Sequence, residues 1–168
     1  MLADVSAALL ADFRDPFQAV RAETALVRLL AAAALGAVIG IEREYRASAA
    51  GLRTHILVAM AACLFTLISA EIIASEMSGG IQQTTDPLRL IEAVTAGVAF
   101  LAAGSIMTSG AKVHGLTTGA GMWMAGAIGL ACGSGRLPLA IMATVLAVMV
   151  LWLLRHVSAR IRPDQPSD

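Results

Sequence analysis

The chain has 168 residues, of which 58% are hydrophobic and only 14% charged. A soluble domain carries about 25% charged residues, so the composition is that of an integral membrane protein with the lipid bilayer as its first partner. Lys+Arg and Asp+Glu number 12 each; with no basic cluster and no interleaved aromatics, no nucleic-acid partner is expected.

Residues 1–24 are too polar to span a bilayer. Leu2, Val5, Leu9 and Phe13 recur at helical spacing, with Asp4 and Asp12 elsewhere on the wheel. This reads as a short amphipathic helix lying on the membrane, with an unstructured leader as the alternative. Asp15-Pro16 has the form of a cap and first position of a further helical start. The first apolar residues follow no positive segment, so a cleaved signal peptide is not expected.

Five apolar runs follow, each near the ~20 residues that cross a bilayer. They are placed at Ala25–Glu44, Thr54–Ala74, Leu90–Thr108, Leu116–Cys132 and Leu137–Leu154. Gly79-Gly80 and Asp86-Pro87 break the chain between the second and third runs, and Gly133-Ser134-Gly135-Arg136 turns it between the fourth and fifth. The expected fold is an all-α membrane protein of five transmembrane helices, with residues 1–24 as an interfacial segment, 25–155 as the membrane domain and 156–168 as a cytoplasmic tail. Arg43, Arg46, Arg53, Lys112, Arg155, Arg160 and Arg162 lie on one side of this arrangement. Arg14, Arg21, Arg28, Arg89 and Arg136, with most of the acids, lie on the other. The expected orientation has the N-terminus outside and the C-terminus inside.

An internal repeat is visible. Gly40 and Gly51 recur as Gly104 and Gly115 at an offset of 64 residues, and Gly-Leu-Arg-Thr is matched by Gly-Leu-Thr-Thr. The first four helices read as two parallel-repeated hairpins related by an axis along the membrane normal. At that offset Arg28 corresponds to Glu92, and an ion pair between them, with Glu71 close by, is one expectation; separate solvation is the other.

Charge gathers at the first hinge, in Glu42, Arg43, Glu44, Arg53 and His55. Glu42 or Glu44 is expected to pair with Arg53 across the hinge. Gly36 and Gly40 form a small-residue face, as do Gly115 and Gly119, and such faces let helices approach closely. Thr54 and Thr118 follow glycines at helix starts, beside Thr117. They read either as simple caps or as part of an anion-friendly spot made by two helix N-termini. Asp86 reads as the cap of the third helix, with Pro87 at its first position. Trp123 lies deep in the fourth helix, where its N–H would want an interhelical partner. Cys63 and Cys132 have no CxxC partner and read as core or lipid-facing thiols. His55 and His114 lack zinc spacing. Glu71, Asp86 and Glu92 could offer oxygens to magnesium, which needs few protein ligands and keeps its waters. Neither a metal nor a cofactor is assigned. No nucleophile elbow, phosphate loop or HExxH is present, so an enzyme is not expected.

Taken together, Gly36–Glu44 (GxxIGxERE) and Ala50–Val58 (AGLRTHxLV) resemble the N-terminal membrane domain of the MgtC/SapB family. The resemblance resumes at Asp86–Arg89, Gly97–Ile106, and Gly115–Thr118 with Trp123, and covers roughly residues 25 to 135. Ala99–Gly104 reads AFLAAG where many members have GFLGAG, and Ala49 stands where a proline is common. The resemblance implies a multi-pass protein of the bacterial inner membrane. It implies a role in growth at low magnesium and, in pathogens, in virulence and survival inside macrophages. Its members are thought to act by binding membrane proteins, the ATP synthase included, and not by carrying magnesium. Longer members carry a soluble C-terminal domain, and functions belonging to that domain are not expected of this sequence. A homo-oligomer, first a dimer, is the expected assembly. The rival expectation is a small ion transporter or channel. From charge placement, the repeat and the motif segments together, one functional cluster at the inner face comprises Glu42, Arg43, Glu44, Arg53, Thr54, His55, Thr117 and Thr118. A second comprises Arg28, Glu71, Asp86, Arg89 and Glu92, and Gly36, Gly40, Gly104, Gly115, Gly119 and Trp123 are assigned to helix packing.

Overall fold

A computed structural model describes residues 6, 17–78, 86–109 and 112–161. The amphipathic helix expected near the N-terminus, the Gly79-Gly80 break and the end of the tail lie outside these residues. The described chain forms five helices: α1 (Ala22–Glu44), α2 (Leu52–Ser78), α3 (Pro87–Gly104), α4 (Leu116–Gly133) and α5 (Leu137–Ile161). Successive helices run in opposite directions, so α1 ends where α2 begins, at what is here called the hinge end. The far end holds the α2–α3 and α4–α5 connections.

Three helical stretches, Ala22–Glu44, Leu52–Met77 and Leu137–Leu154, are long and apolar enough to cross a membrane. The other two are shorter and more mixed. Glycine, threonine and tryptophan dilute α4, while Arg89 and Glu92 lie in the first turns of α3. The position of α4 accounts for its composition: it packs against all four other helices. Its buried face includes Thr118, Gly119, Gly121, Ala125, Gly126, Gly129 and Gly133, small residues of the kind that bring helix backbones together without a hydrophobic drive.

The same close approach joins α1 to α2. A Cβ on Gly36 would lie 2.8 Å from the His55 carbonyl oxygen, and one on Gly40 would lie 2.8 Å from the Leu52 Cα. Ile39, between these glycines, is completely buried. Cys63 and Cys132 are buried free thiols. The large side chains Leu26, Leu30, Phe100, Met142 and Leu146 are exposed, the inside-out distribution of a bundle that meets lipid.

Several boundaries differ from the sequence expectation. The third helix does not reach Thr108: it stops at Gly104, and Met107–Ser109 pairs antiparallel with Lys112–His114 in a two-stranded ribbon, β1 and β2. The two hairpins read from the sequence as a repeat therefore turn differently, through an irregular link at 45–51 and through this ribbon. Gly115 enters α4 with φ +86°, a left-handed conformation that glycine adopts without steric cost. The helical start read at Asp15-Pro16 is displaced, because residues 17–21 are not helical and Arg21 is the cap of α1. At the other end α5 continues past Leu154 to Ile161, into residues read as tail.

Candidate functional site

At the hinge end, the last turn of α1 carries a compact ionic knot. Glu42 Oε2 accepts from Arg43 Nε and Nη2, both at 2.6 Å, while Oε1 accepts from Arg46 Nε at 3.2 Å. The Arg43 side chain is only 5% exposed and Glu42 15%. A buried charge of this kind requires a partner, and removing one member of such a pair costs about 3–5 kcal/mol. Arg43 is on the glycine face of α1, seven positions after Gly36, and points inward for that reason.

Glu44 takes a different role. Its Oε2 accepts from the Leu52 backbone N–H at 2.9 Å, satisfying one of the donors left open at the start of α2. The carboxylate lies over Gly51, where a Cβ would collide with Oε2. The expected pairing of Glu42 or Glu44 with Arg53 is thus corrected. Glu42 is taken by Arg43 and Arg46, Glu44 bridges the hinge to backbone, and Arg53 is exposed. The threonine caps are corrected too: Glu44 serves α2 in place of Thr54, and the cap of α4 is Gly115, which has no side chain to offer. Thr118 is buried on α4, while Thr117 is exposed.

His55 stands where α1, α2 and α4 meet and is completely buried. Its Nδ1 lies 2.8 Å from the Gly51 carbonyl oxygen. A carbonyl only accepts, so Nδ1 carries the hydrogen. Nε2 is buried without a hydrogen-bond partner and faces Gly121, whose Cβ, if present, would lie 2.9 Å away. Arg43 Cδ would lie 3.8 Å from that same Cβ. Of the residues grouped by sequence, the structure buries Arg43, His55 and Thr118 inside the bundle and leaves Arg53 and Thr117 exposed. Gly121 was missed. Its signal was a glycine six positions beyond Gly115, on a helix already seen to be glycine-rich.

At the far end, Glu71 accepts from three successive backbone N–H groups, those of Gln18, Ala19 and Val20, at 2.7, 3.0 and 3.1 Å. This ties the segment before α1 to the end of α2. Arg28 Nη1 donates to the Gly133 carbonyl at 2.8 Å, where a cation meets the negative end of the α4 dipole. The expected Arg28–Glu92 bridge is corrected: among the described residues no ion pair joins them, and Glu92 is exposed. The physical reason is the packing order. α1 lies against α2, α4 and α5, while α3 leans chiefly on α4. Asp86 caps α3 as expected, accepting from Leu88 N–H at 2.9 Å with Pro87 at the first position. Arg89 is exposed beside it.

Two packing assignments also change. A Cβ on Gly104 would meet nothing within 4 Å, and Trp123 is 52% exposed, facing away from the bundle. Among the described residues, no three His, Cys, Asp or Glu side chains are grouped to hold a metal ion.

The model of the MgtC family matches residues 29–160. The Escherichia coli K12 protein named "Putative magnesium transporter YhiD" is 36% identical over 140 residues, covering 81% of this chain and 63% of that protein. Protein MgtC of Salmonella typhimurium LT2 is 39% identical over 136 residues, covering 81% and 54%. An uncharacterized Synechocystis protein is 36% identical over 133 residues, covering 79% and 53%. The chain therefore spans between half and two-thirds of the length of these relatives. No solved structure matches. The hinge motif, the buried His55 and the glycine-rich central helix thus sit within a recognised sequence family, and the chain belongs to the MgtC family.

Proposed function

We propose that this chain is a non-enzymatic regulator of the MgtC type, working in adaptation to low magnesium and in survival within a host cell. It acts through helix contacts with other membrane proteins, the ATP synthase among them, and sits with its N-terminus outside and its C-terminus in the cytoplasm. One observation carries the reading. The main charged groups of the bundle are engaged in holding it together: Glu42 with Arg43 and Arg46, Glu44 with Leu52, Glu71 with residues 18–20, and Arg28 with Gly133. Large apolar side chains meanwhile face outward along α1, α3 and α5, a surface suited to helix–helix contact. Crosslinking in native membranes followed by mass spectrometry tests this. Crosslinks from outward residues such as Phe100 or Leu146 to membrane subunits of the ATP synthase are expected. Their absence, with the bait fully recovered, would sink the partner.

A second reading, a small ion transporter or channel, is favoured by the name given to the Escherichia coli relative. Magnesium flux into liposomes carrying the purified protein separates the two. Robust flux favours transport; a silent vesicle, with partners recovered by crosslinking, favours the regulator.

A further inference from the structure

Among the described residues, a cavity of about 690 Å³ lies between α2 and α3 at the far end. Ile68, Ile72, Leu90 and Val94 form its walls, Phe65 its floor, and Asp86 and Arg89 its mouth. A second hollow of about 490 Å³ continues it toward the hinge end, sharing Phe65, Ala93 and Val94. There α3 exposes Gly97, where a Cβ would meet nothing within 4 Å. The groove exists because α3 is held chiefly by α4 and touches α2 only lightly.

Its polarity is one-ended. From Phe65 to Glu76, which also lines the mouth, α2 rises about 16 Å. That is about half the ~30 Å of a bilayer's hydrocarbon core, so the upper cavity is one leaflet tall, apolar below and charged at the top. The hollow below it is lined by apolar side chains with Gly97 and Thr54, so the charge of the whole groove sits at one end. A phospholipid needs only this: acyl chain below, headgroup above. The mouth also carries both signs. Arg89 is exposed and suits a phosphate. Asp86 spends Oδ1 on the Leu88 N–H and keeps a second carboxylate oxygen, which can accept from a primary ammonium.

We propose that the α2–α3 groove is a lipid site selective for a phosphate headgroup bearing a primary ammonium, that of phosphatidylethanolamine. Arg89 takes the phosphate, Asp86 accepts from the ammonium, and the apolar walls hold an acyl chain. Phosphatidylcholine has the charge but no N–H to donate, and phosphatidylglycerol lacks the cation. The site stands independently of the partner reading above.

The test is native mass spectrometry of the purified protein released from nanodiscs containing equal amounts of the three lipids. Wild type is expected to retain phosphatidylethanolamine about tenfold over either competitor, as one charge-assisted hydrogen bond allows. Asp86→Asn keeps a capping side chain and removes the charge, so it should abolish the preference while leaving total retention near wild type. Arg89→Ala should lower retention of all three. Ala93→Phe, which fills the groove, should abolish retention with helix content unchanged by circular dichroism. Equal retention of the three lipids by wild type, or full preference in Asp86→Asn, overturns the proposal. So does an Ala93→Phe variant that keeps its lipid.

Discussion

The carboxylate of Glu44 accepts the backbone N–H of Leu52 at 2.9 Å and lies directly over Gly51. The last residue of α1 thereby caps the first residue of α2, and the hinge closes on itself. Two changes test this contact from opposite sides. Glu44→Ala leaves the donor open and should cost about 0.5–2 kcal/mol, the range for a lost helix cap. Gly51→Ala pushes a methyl into the carboxylate and should break the same bond. In detergent, both are expected to melt below wild type, and the double variant no lower than the sum of the two. Arg53→Ala, at an exposed position outside this contact, should melt within about 0.5 kcal/mol of wild type. A loss on Arg53→Ala as large as that on Glu44→Ala would contradict the assignment.

Arg28 gives a second prediction. Its guanidinium donates to the Gly133 carbonyl and packs on the turn at Gly135, where a Cβ would lie 2.6 Å from Nη2. Hydrogen bonds to charged groups contribute about 1.5–3 kcal/mol, so Arg28→Met should lose about that much. Arg28→Glu should lose more, by facing the negative end of α4 with a like charge. Because Glu92 is not its partner, adding Glu92→Arg should not rescue Arg28→Glu. Recovery of the wild-type melting temperature in that double variant would restore the direct bridge.

The position of these charges shows what the sequence could and could not reveal. Long apolar runs bounded by charge made all five helices legible, and Asp86-Pro87 announced its own cap. The end of α3 was not legible, because Ile106 and Met107 prolong the apolar run into what is a strand. Ser109-Gly110 ahead of Lys112–His114 was the available hairpin signal. Partners were harder still. The repeat offset placed Arg28 opposite Glu92 on paper, yet which groups meet depends on how α1 rotates against α4, and the glycine surface of α4 decides that. His55 was visible as a motif residue, but its burial against Gly121 is a property of three helices at once.

Ala47 supplies a third prediction. It occupies φ +50°, a left-handed conformation, at an exposed position in the hinge link. For a residue with a Cβ this costs about 1–2 kcal/mol. Glycine removes that strain but adds freedom to the unfolded chain, worth about 0.4–1 kcal/mol. Ala47→Gly should therefore stabilise by about 0.5–1 kcal/mol, raising the melting temperature while leaving the Glu44–Leu52 contact intact. A decrease would mean that the link relaxes out of this conformation in the membrane.

The last prediction concerns His55 and Gly121. Nδ1 is fixed by the Gly51 carbonyl, so the ring cannot turn away, and Nε2 is held against Gly121 of α4, where no Cβ stands. Gly121→Ala would set a methyl 2.9 Å from Nε2, an overpacking expected to cost about 1–3 kcal/mol. His55→Ala alone should also destabilise, through the lost hydrogen bond and the cavity left behind. The two losses should not add. Without the imidazole the methyl meets open space and partly fills it, so Gly121→Ala should be neutral or mildly stabilising in the His55→Ala background. The difference between the two backgrounds is the coupling energy, expected at about 1–3 kcal/mol in the favourable direction. It is measured by thermal unfolding of all four proteins in one detergent. Strict additivity would mean that α4 does not press against His55, and the three-helix junction at the hinge end would have to be redrawn.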